Sequence, residues 1–440
     1  MMLTHRYKTI LGDIPDDWQA KPIRELIAEQ FAGDWGDDDG EIAVPVIRST
    51  NFTNNGNLDM SNVATRYFPK QKADQSGLKC GDLLVERSGG GPDQPVGRIG
   101  FITNDMPGAM VSNFVQVLRP DPKKVAPAFL GWVLFELQRT GIIERVQQQS
   151  TQMRNLNWRE YQRLLLPSPD QNEQSPIVGA IKLADNAIST ARVALDATRD
   201  LKRSLMTEVF TRGIRSKVRK TQETKLGLIP IDWTTAELRS IWKSSTNGIY
   251  VPENQYGSGI PIIRIDTFSD GFFDTREFKR IRVDKADVTA FSLEAGDLLV
   301  NRVNSIPFLG KVVYVDRMDE FCVFESNMMR LRFGTAEIAQ YLSLYLSVPS
   351  VKKRIWAMGR PAVAQLSINQ RDIGKFLIAL PGPEERREIL DVMFAARTAE
   401  IKAAEKLAAL YEVKKSLLHN LLTGKIRIPA DAPLPDRGAA

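Results

Sequence analysis

Two long segments with the same apolar pattern dominate this 440-residue chain. The first carries apolar side chains at alternating spacings of four and three from Ile177 to Val209, which is the period of a coiled coil. The same pattern returns from Ile389 to Leu421. At about 1.5 Å per residue each segment would be roughly 48 Å long, more than a compact domain needs for one helix. We call the apolar stripe along each segment a seam. The two seams therefore predict a pair of long helices that bury their apolar faces against each other.

Three charged residues, Lys202, Glu400 and Lys414, interrupt the pattern. A polar side chain in such a seam fixes register and orientation at some cost in stability. An ordinary amphipathic helix on a core is the simpler interpretation of one such segment, but the repetition favours the paired helices. The seam positions share apolar or small side chains and are Ile177, Ile181, Ala184, Ile188, Leu195, Leu205, Val209, Ile389, Met393, Ala396, Leu407, Leu417 and Leu421.

The repeat extends beyond the helices. The run at 11–18 returns with the same Leu-Gly-x-Ile-Pro-x-Asp-Trp pattern at 226–233, and Gly-Asp-Leu-Leu-Val occurs at both 81–85 and 296–300. Gly and Pro indicate turns, whereas the β-branched and apolar runs between them indicate strands. The tryptophan that ends each copy of the first motif is predicted to fill the start of a core.

The predicted fold class is α+β, with two repeated strand-rich domains separated by two long antiparallel helices that act as a coiled-coil-like spacer. This order gives the chain approximate two-fold symmetry. The predicted segments are a first domain at 1–170, a first helix at 171–213, a basic connector at 214–225, a second domain at 226–383, a second helix at 384–425 and a disordered tail at 426–440.

The two copies differ mainly in the loops that follow Arg87 and Arg302. These loops carry Arg, Asn, Gln and Ser, the side chains that reach guanine and adenine edges in the major groove of DNA. A surface or strand-capping role remains the more common one for any single polar loop residue. The candidate DNA-binding residues are Arg48, Arg87, Ser88, Arg98, Asn113, Gln152, Arg154 and Asn155 in the first copy, and Arg264, Arg302, Asn304, Lys311, Asn327, Arg330, Arg360 and Gln365 in the second.

Composition excludes several other classes of protein. With two cysteines and two histidines, the chain has few ligands for a zinc site and no disulfide framework. The glycines at 89–91 fit neither a phosphate-binding loop nor a dinucleotide fingerprint. We therefore predict no catalytic residues and no metal site. The absence of an apolar run long enough to span a bilayer predicts a cytoplasmic protein, and the net charge of +6 weakly favours a polyanionic partner.

Taken together and in this order, the motifs resemble the specificity subunit of a type I restriction-modification system over essentially the whole chain. The segment 416–426, Ser-Leu-Leu-His-Asn-Leu-Leu-Thr-Gly-Lys-Ile, is especially similar to that family. The resemblance implies two target-recognition domains, each reading one half of a split double-stranded DNA site, and helices that set the gap. It also implies docking of two modification subunits that methylate adenine, and separate motor-nuclease subunits that cut.

The same resemblance implies that this chain binds no cofactor, and that S-adenosylmethionine, ATP and Mg²⁺ belong to the partner subunits. Since the loops of the two copies differ, the expected target is an asymmetric bipartite site. Two alternatives stay open at this point. One is a stand-alone site-specific nuclease or methyltransferase with an unrecognised active site, and the other is a coiled-coil adaptor between proteins.

Overall fold

The computed structural model describes residues 8–90, 96–149, 153–214, 219–269, 271–274, 277–362 and 365–429. The chain forms two compact units: unit 1 comprises residues 1–192 and 406–440, and unit 2 comprises residues 193–405. Each unit contains a strand-rich region and half of each long helix. The predicted class is confirmed: the fold is α+β, with two repeated strand-rich domains and two long helices.

The strand-rich part of unit 1 consists of short strands, three helices of one turn and one longer helix, α3. Its elements are β1 (Lys8–Thr9), β2 (Gly12–Asp13), β3 (Gln19–Pro22), α1 (Ile23–Leu26), β4 (Ile27–Ala32), β5 (Ile42–Ile47), β6 (Ala64–Phe68), α2 (Lys70–Asp74), β7 (Gly77–Leu78), β8 (Leu83–Glu86), β9 (Ser88–Gly90), β10 (Ile99–Phe101), β11 (Met106–Pro107), β12 (Met110–Val111), β13 (Val115–Pro120), α3 (Pro127–Arg139), β14 (Gln147–Gln149), β15 (Arg154–Leu156), α4 (Trp158–Tyr161) and β16 (Leu165–Ser168).

The first long helix, α5 (Gln171–Arg212), follows and crosses from unit 1 into unit 2. The remaining elements are β17 (Thr221–Thr224), β18 (Gly227–Pro230), β19 (Thr234–Glu237), α6 (Leu238–Ile241), β20 (Trp242–Asn247), β21 (Tyr256–Ile263), β22 (Phe268–Ser269), β23 (Phe272–Phe273), β24 (Lys279–Ile281), α7 (Lys285–Phe291), β25 (Leu298–Asn301), β26 (Val303–Asn304), β27 (Val312–Tyr314), β28 (Val323–Phe324), β29 (Met328–Phe333), α8 (Ala336–Tyr345), α9 (Pro349–Trp356), β30 (Arg360–Ala362), β31 (Gln365–Ser367), α10 (Gln370–Gly374), β32 (Leu377–Leu380) and the second long helix, α11 (Pro383–Leu422).

The sheets of the two units correspond strand by strand. An antiparallel sheet of order β10-β8-β13-β4 in unit 1 has its counterpart in β27-β25-β29-β20 of unit 2. Each unit also has a second sheet with one parallel pair, in which Val111 faces Ile47 in one copy and Phe324 faces Ile263 in the other. The sequence repeat is therefore a repeat of sheet topology.

The Gly-Asp motif before β8 and β25 forms a turn and a buried ion pair in both units. Gly81 and Gly296 have φ values of 91° and 99°, a region that strongly favours glycine. The next residue, Asp82 or Asp297, is almost fully buried. Asp82 accepts hydrogen bonds from the Arg119 guanidinium at 2.8 and 2.9 Å, and Arg332 binds Asp297 in the same way. The ion pair offsets the cost of burying the carboxylate.

The long helices run antiparallel within each unit, and every predicted seam position is buried or half-buried. In unit 2, Lys202 Nζ lies 2.7 Å from Glu400 Oε2. In unit 1, Lys414 Nζ lies 2.5 Å from Asp185 Oδ1. The polar residues that interrupt the seam thus form ion pairs between the helices, as expected for side chains that fix register.

A second repeated contact attaches the start of each long helix to the entrance of its domain. In unit 2 the indole of Trp233 donates to Glu385 at 2.9 Å, and the Arg219 guanidinium donates to the same carboxylate at 2.5 and 2.8 Å. Arg219 also pairs with Asp232. We call these four residues the unit 2 clamp.

Unit 1 contains the equivalent group, the unit 1 clamp. The Trp18 indole donates to Glu173 at 3.3 Å, and Arg427 donates to Glu173 at 2.6 Å and to Asp17 at 2.9 and 3.1 Å. Both tryptophans are 1% exposed, which confirms that they fill the core. Each arginine follows a long helix in sequence, in segments for which the sequence predicts a connector and a disordered tail.

The predicted segment boundaries end each domain at a helix, whereas the compact units divide both helices. The reason is that each half-helix packs on the core of its own unit. Ile177 and Leu421 belong to the core of unit 1, and Val209 and Ile389 belong to that of unit 2. None of the helices among the described residues combines the length and apolarity needed to cross a bilayer.

Replacing Arg219 by Gln should destabilise unit 2, since Glu385 would remain buried without its partner. We expect a loss of about 3–5 kcal/mol at neutral pH, measured as the free energy of opening from hydrogen exchange of β19 and β32. Arg427→Gln in unit 1 is the matched control and should cost at most about 1 kcal/mol, because its side chain is 41% exposed. Equal losses in both units would contradict this account.

The Arg219→Gln variant also has a pH signature. Burial raises the pKa of Glu385, but the hydrogen bonds from Arg219 and Trp233 outweigh burial and hold it below the usual 4.5. Its contribution to stability is therefore present above pH 4.5 and is lost as pH falls through the lowered pKa. In Arg219→Gln burial prevails, so Glu385 protonates more readily. The stability difference between wild type and variant should shrink as the pH is lowered towards 4.5 and below.

Candidate nucleic-acid interface

Each unit has a small three-stranded sheet that holds several of the predicted DNA-binding residues. One of its strands comes directly after β8 in unit 1 and directly after β25 in unit 2. In unit 1 its order is β14-β15-β9, and in unit 2 it is β26-β31-β30. The unit 1 sheet brings together Ser88, Arg154 and Asn155, with the hydroxyl of Ser88 donating to the Asn155 side chain. The unit 2 sheet brings together Asn304, Arg360 and Gln365. Residues far apart in sequence therefore meet on equivalent sheets.

Solvent reaches these residues to different degrees. Arg360 and Gln365 are exposed in unit 2, whereas Arg154, Asn155 and Asn304 are half-buried. Arg360 donates to Asp372 of α10 at 2.9 Å, which holds its guanidinium at the side of the small sheet. Both small sheets thus present polar side chains that could form hydrogen bonds with the edge of a base.

Arg87 and Arg302 connect the small sheets to the four-stranded sheets. Arg87 donates to the Gln116 side chain at 3.1 Å and lies 6.0 Å from the centre of the Trp158 ring. Arg302 donates to the carbonyl of Ser326 at 3.2 Å. Both are half-buried. Their contacts position the small sheet and leave only part of each guanidinium open to a ligand.

Arg98 lies inside unit 1 and is 8% exposed. Its guanidinium donates to both oxygens of Glu86 at 2.7 and 2.8 Å, and to the carbonyls of Phe52 and Ser49 at 2.8 Å. Glu86 is 2% exposed. The structure therefore gives Arg98 a role in holding the loop around 49–52 against the central strand.

Unit 2 replaces this ion pair with different chemistry. Lys311, in the position of Arg98, donates to the carbonyl of Ile265 at 3.0 Å and lies 5.0 Å from the centre of the Phe268 ring. Asn301, in the position of Glu86, donates to the carbonyl of Phe308 at 3.0 Å. The same two scaffold positions thus brace different loops in the two units.

Arg48 and Arg264, which match in the repeat, are both half-buried, and neither Nε atom has a hydrogen-bond partner among the described residues. Arg264 donates to the Tyr256 hydroxyl at 3.3 Å and lies beside Glu325. Burial raises the pKa of Glu325, and the charge of Arg264 opposes that increase. This pairing favours a structural role for Arg264.

The remaining candidate DNA-binding residues differ in how far their side chains are exposed to solvent. Asn113 is exposed and Asn327 is half-buried. Arg330 is 7% exposed, donates to the Ser292 carbonyl and lies 5.6 Å from the centre of the Phe324 ring. Gln152 lies outside the described residues. A direct base contact is thus open to Asn113 but not to the buried guanidinium of Arg330.

Four further cationic side chains, which are not among the predicted DNA-binding residues, lie together in unit 2. They line a groove between β20 and α10 and are Arg239, Lys243, Arg371 and Lys375. No motif marks them. The sequence gives one indication of them, a difference between the two copies: Lys243 occupies the position that Ala28 has in the first copy. Among the described residues, no three His, Cys, Asp or Glu side chains are grouped as a metal ion would require.

The chain is similar to named specificity subunits. It is 30% identical over 204 residues to the putative type I restriction enzyme MjaX specificity subunit of Methanocaldococcus jannaschii, a match that covers 46% of this chain and 48% of that protein. It is 21% identical over 448 residues to the type I restriction enzyme EcoKI specificity subunit of Escherichia coli K12, covering 97% of this chain and 92% of that protein. The chain thus matches about half of the first relative and nearly all of the second.

Solved structures share the fold. One is a chain from a type I restriction-modification system studied for complex assembly and conformational transition, with a TM-score of 0.61, 17% identity and coverage of 94% of this chain and 99% of that one. Another is the HsdS subunit from Thermoanaerobacter tengcongensis, with a TM-score of 0.51, 16% identity and coverage of 97% and 100%. No protein-family model matches the chain.

Substitution should separate the buried from the accessible arginines of unit 1. Arg98→Gln leaves Glu86 buried with a weaker partner, so we expect a loss of about 3–5 kcal/mol and a fall in melting temperature on the order of 10 °C. Arg154→Gln on the small sheet is the control and should melt within about 2 °C of the wild type. Differential scanning calorimetry gives both values. Equal melting temperatures would show that the Glu86–Arg98 pair does not stabilise unit 1.

Proposed function

We propose that this chain is a type I restriction-modification specificity subunit, the non-catalytic subunit that recognises the DNA target of such a complex, and its similarity to named specificity subunits supports this. The observation that carries the proposal is the structural repeat. Two copies of one sheet scaffold present different polar side chains on equivalent small sheets. Such an arrangement is suited to reading two unlike short sequences with one chain.

Each small sheet would read one half of the target. Arg, Asn and Gln form bidentate hydrogen bonds with guanine or adenine in the major groove, each worth about 1–3 kcal/mol of discrimination. Unit 1 offers Arg154 and Asn155 for this purpose, and unit 2 offers Arg360 and Gln365. Because these sets differ, the two half-sites are expected to differ as well.

The long helices would set the distance between the half-sites and dock two methyltransferase subunits. Motor-nuclease subunits would join the complex where restriction occurs. We place S-adenosylmethionine, ATP and Mg²⁺ on those partners and assign no cofactor to this chain. Since the ligand would be cellular DNA, the proposal places the chain in the cytoplasm. The alternatives of a stand-alone nuclease or methyltransferase and of a protein adaptor draw no support from relatives that are named specificity subunits.

The proposal predicts a two-part target with a fixed gap. The chain, co-expressed with its modification subunit, is incubated with a randomised duplex library, and the retained duplexes are sequenced. We expect two unlike short motifs at one constant spacing. A single continuous motif, or no enrichment at low salt, would contradict the proposal.

Substitutions in one unit should change only one motif. Arg360→Ala with Gln365→Ala should relax the half-site read by unit 2 and leave the other half intact. Arg154→Ala with Asn155→Ala in unit 1 is the reciprocal variant and should relax the other half. The same library selection measures both. A variant that relaxes both halves equally would argue against separate reading by the two units.

Helix length should control the gap. Inserting one heptad into both long helices near the division between the units adds about 10.5 Å to each helix and keeps the seam in phase. At ~3.4 Å per base pair, the selected motifs should move apart by about three base pairs while their sequences stay the same. An unchanged gap would rule out the helices as the spacer.

A further inference from the structure

A cationic groove of about 590 Å³ lies at the edge of the four-stranded sheet of unit 2. The edge strand β20 forms one wall and the short helix α10 forms the other. Four exposed cations line it, with the Arg239 guanidinium lying 5.6 Å from the centre of the buried Trp242 ring. The cations are Arg239, Lys243, Arg371 and Lys375.

The charge of this groove is not neutralised by the rest of the unit. Within the described part of the chain, none of the four cations forms an ion pair. The lining contains one carboxylate, Glu237, and two hydroxyl donors, Ser244 and Ser245. Like charges that line one groove repel one another, so the groove favours a bound anion over water alone.

The equivalent site in unit 1 is closed. Gln30 and Gln162 occupy the positions of Ser245 and Gly374, and their side chains form a 2.7 Å hydrogen bond with each other. The strand registers establish the equivalence of Gln30 and Ser245, because Gln30 faces Leu118 and Ser245 faces Leu331 in the corresponding strand pairs. The small residues in unit 2 therefore open a space that a side-chain bridge fills in unit 1.

Two charged residues of the unit 1 site are paired within that unit. Arg163, in the position of Lys375, pairs with Glu160 at 3.1 Å. Glu29, in the position of Ser244, pairs with Arg119. Ala28 stands in place of Lys243. The unit 1 surface thus carries a side-chain bridge and two exposed arginines, Arg24 and Arg159, where unit 2 carries an open groove lined by four cations.

The groove adjoins the small sheet of unit 2. The helix α10 begins soon after β31, and its Asp372 holds Arg360 of β30 at 2.9 Å. A ligand read by Arg360 and Gln365 would therefore extend towards α10. Cations on flexible side chains, together with hydroxyl donors, are the groups that contact the phosphate oxygens of a DNA backbone.

We infer that the groove of Arg239, Lys243, Arg371 and Lys375 binds backbone phosphates of duplex DNA beside the half-site of unit 2, and that unit 1 has no equivalent phosphate contact. This inference rests on the proposed function and adds to it an unequal division of backbone contacts between the two half-sites. The contact supplies affinity without sequence preference, since phosphates carry no base information.

The test uses the complex of the full chain with its modification subunit. Dissociation constants are measured over a salt series for the selected target and for an unrelated duplex. In a variant with Arg239, Lys243, Arg371 and Lys375 all replaced by Gln, the slope of log K against log salt should become shallower by about 0.9 for each lost contact. Affinity for both duplexes should fall by the same factor, at least about tenfold at low salt, and the selected motifs should not change.

A matched pair of double variants supplies the control. Arg239→Gln with Arg371→Gln should weaken the salt dependence, whereas Arg24→Gln with Arg159→Gln, the equivalent exposed arginines of unit 1, should leave it unchanged. Equal effects of the two double variants, or an unaltered slope in the fourfold variant, would overturn the inference. Loss of the modification subunit on gel filtration would overturn it too, because the groove would then contact protein. If the unmodified complex selects no two-part target, the proposed function itself fails, and that result is known before any variant is made.

Discussion

A carboxylate at the start of each long helix, buried in unit 2 and half-buried in unit 1, is the contact on which the rest of the architecture depends. Glu385 accepts hydrogen bonds from the Trp233 indole and the Arg219 guanidinium, so three separate segments of the chain meet at one side chain. A carboxylate in such a place is stable only while its partners are present. The clamp therefore fixes the domain entrance, the helix start and the segment that follows the other helix at one point.

The same contact holds Arg219 and Arg427, each of which follows a long helix, against the entrance of a domain. Arg427 performs in unit 1 the role that Arg219 performs in unit 2, although one lies after the second helix and the other after the first. Gly213 and Gly424 end the two helices with φ values of 74° and 68°, which turn the chain towards the clamp. A Cβ on Gly213 would lie 2.2 Å from Glu385, and one on Gly424 would lie 2.5 Å from Pro15, so both turns require glycine.

The long-range repeat made much of this fold predictable, and the limits of that prediction have a physical cause. The seams and the Gly-Asp-Leu-Leu-Val strands have clear periods and turn residues, so the sequence identifies them. The small sheets have strands of two or three residues with no alternation to detect. Their pairing depends on contacts between residues such as Ser88 and Asn155, which no local pattern reveals.

The roles of the candidate DNA-binding residues were also hard to predict, because they depend on contacts between residues that are distant in sequence. An arginine in a polar loop and an arginine paired in the core look alike in sequence, because the partner that decides between them is remote. Glu86 makes Arg98 a core residue, whereas the exposed Arg360 remains available at the surface. The clamp arginines were missed for the converse reason: their polar surroundings in sequence suggested a connector and a tail, while their partners lie at distant positions in the chain.

The ion pairs in the seam connect the packing of the two helices to their proposed role as a spacer. Glu400 meets Lys202 in unit 2, and Asp185 meets Lys414 in unit 1. All four side chains are partly withdrawn from water, so sliding one helix by a heptad would leave charges facing apolar seam positions without partners. The apolar seam alone would tolerate such a slip, because its pattern repeats every heptad. The polar interruptions therefore select one register, and a helix pair with one register has one length, which is the property that a spacer between two half-sites requires.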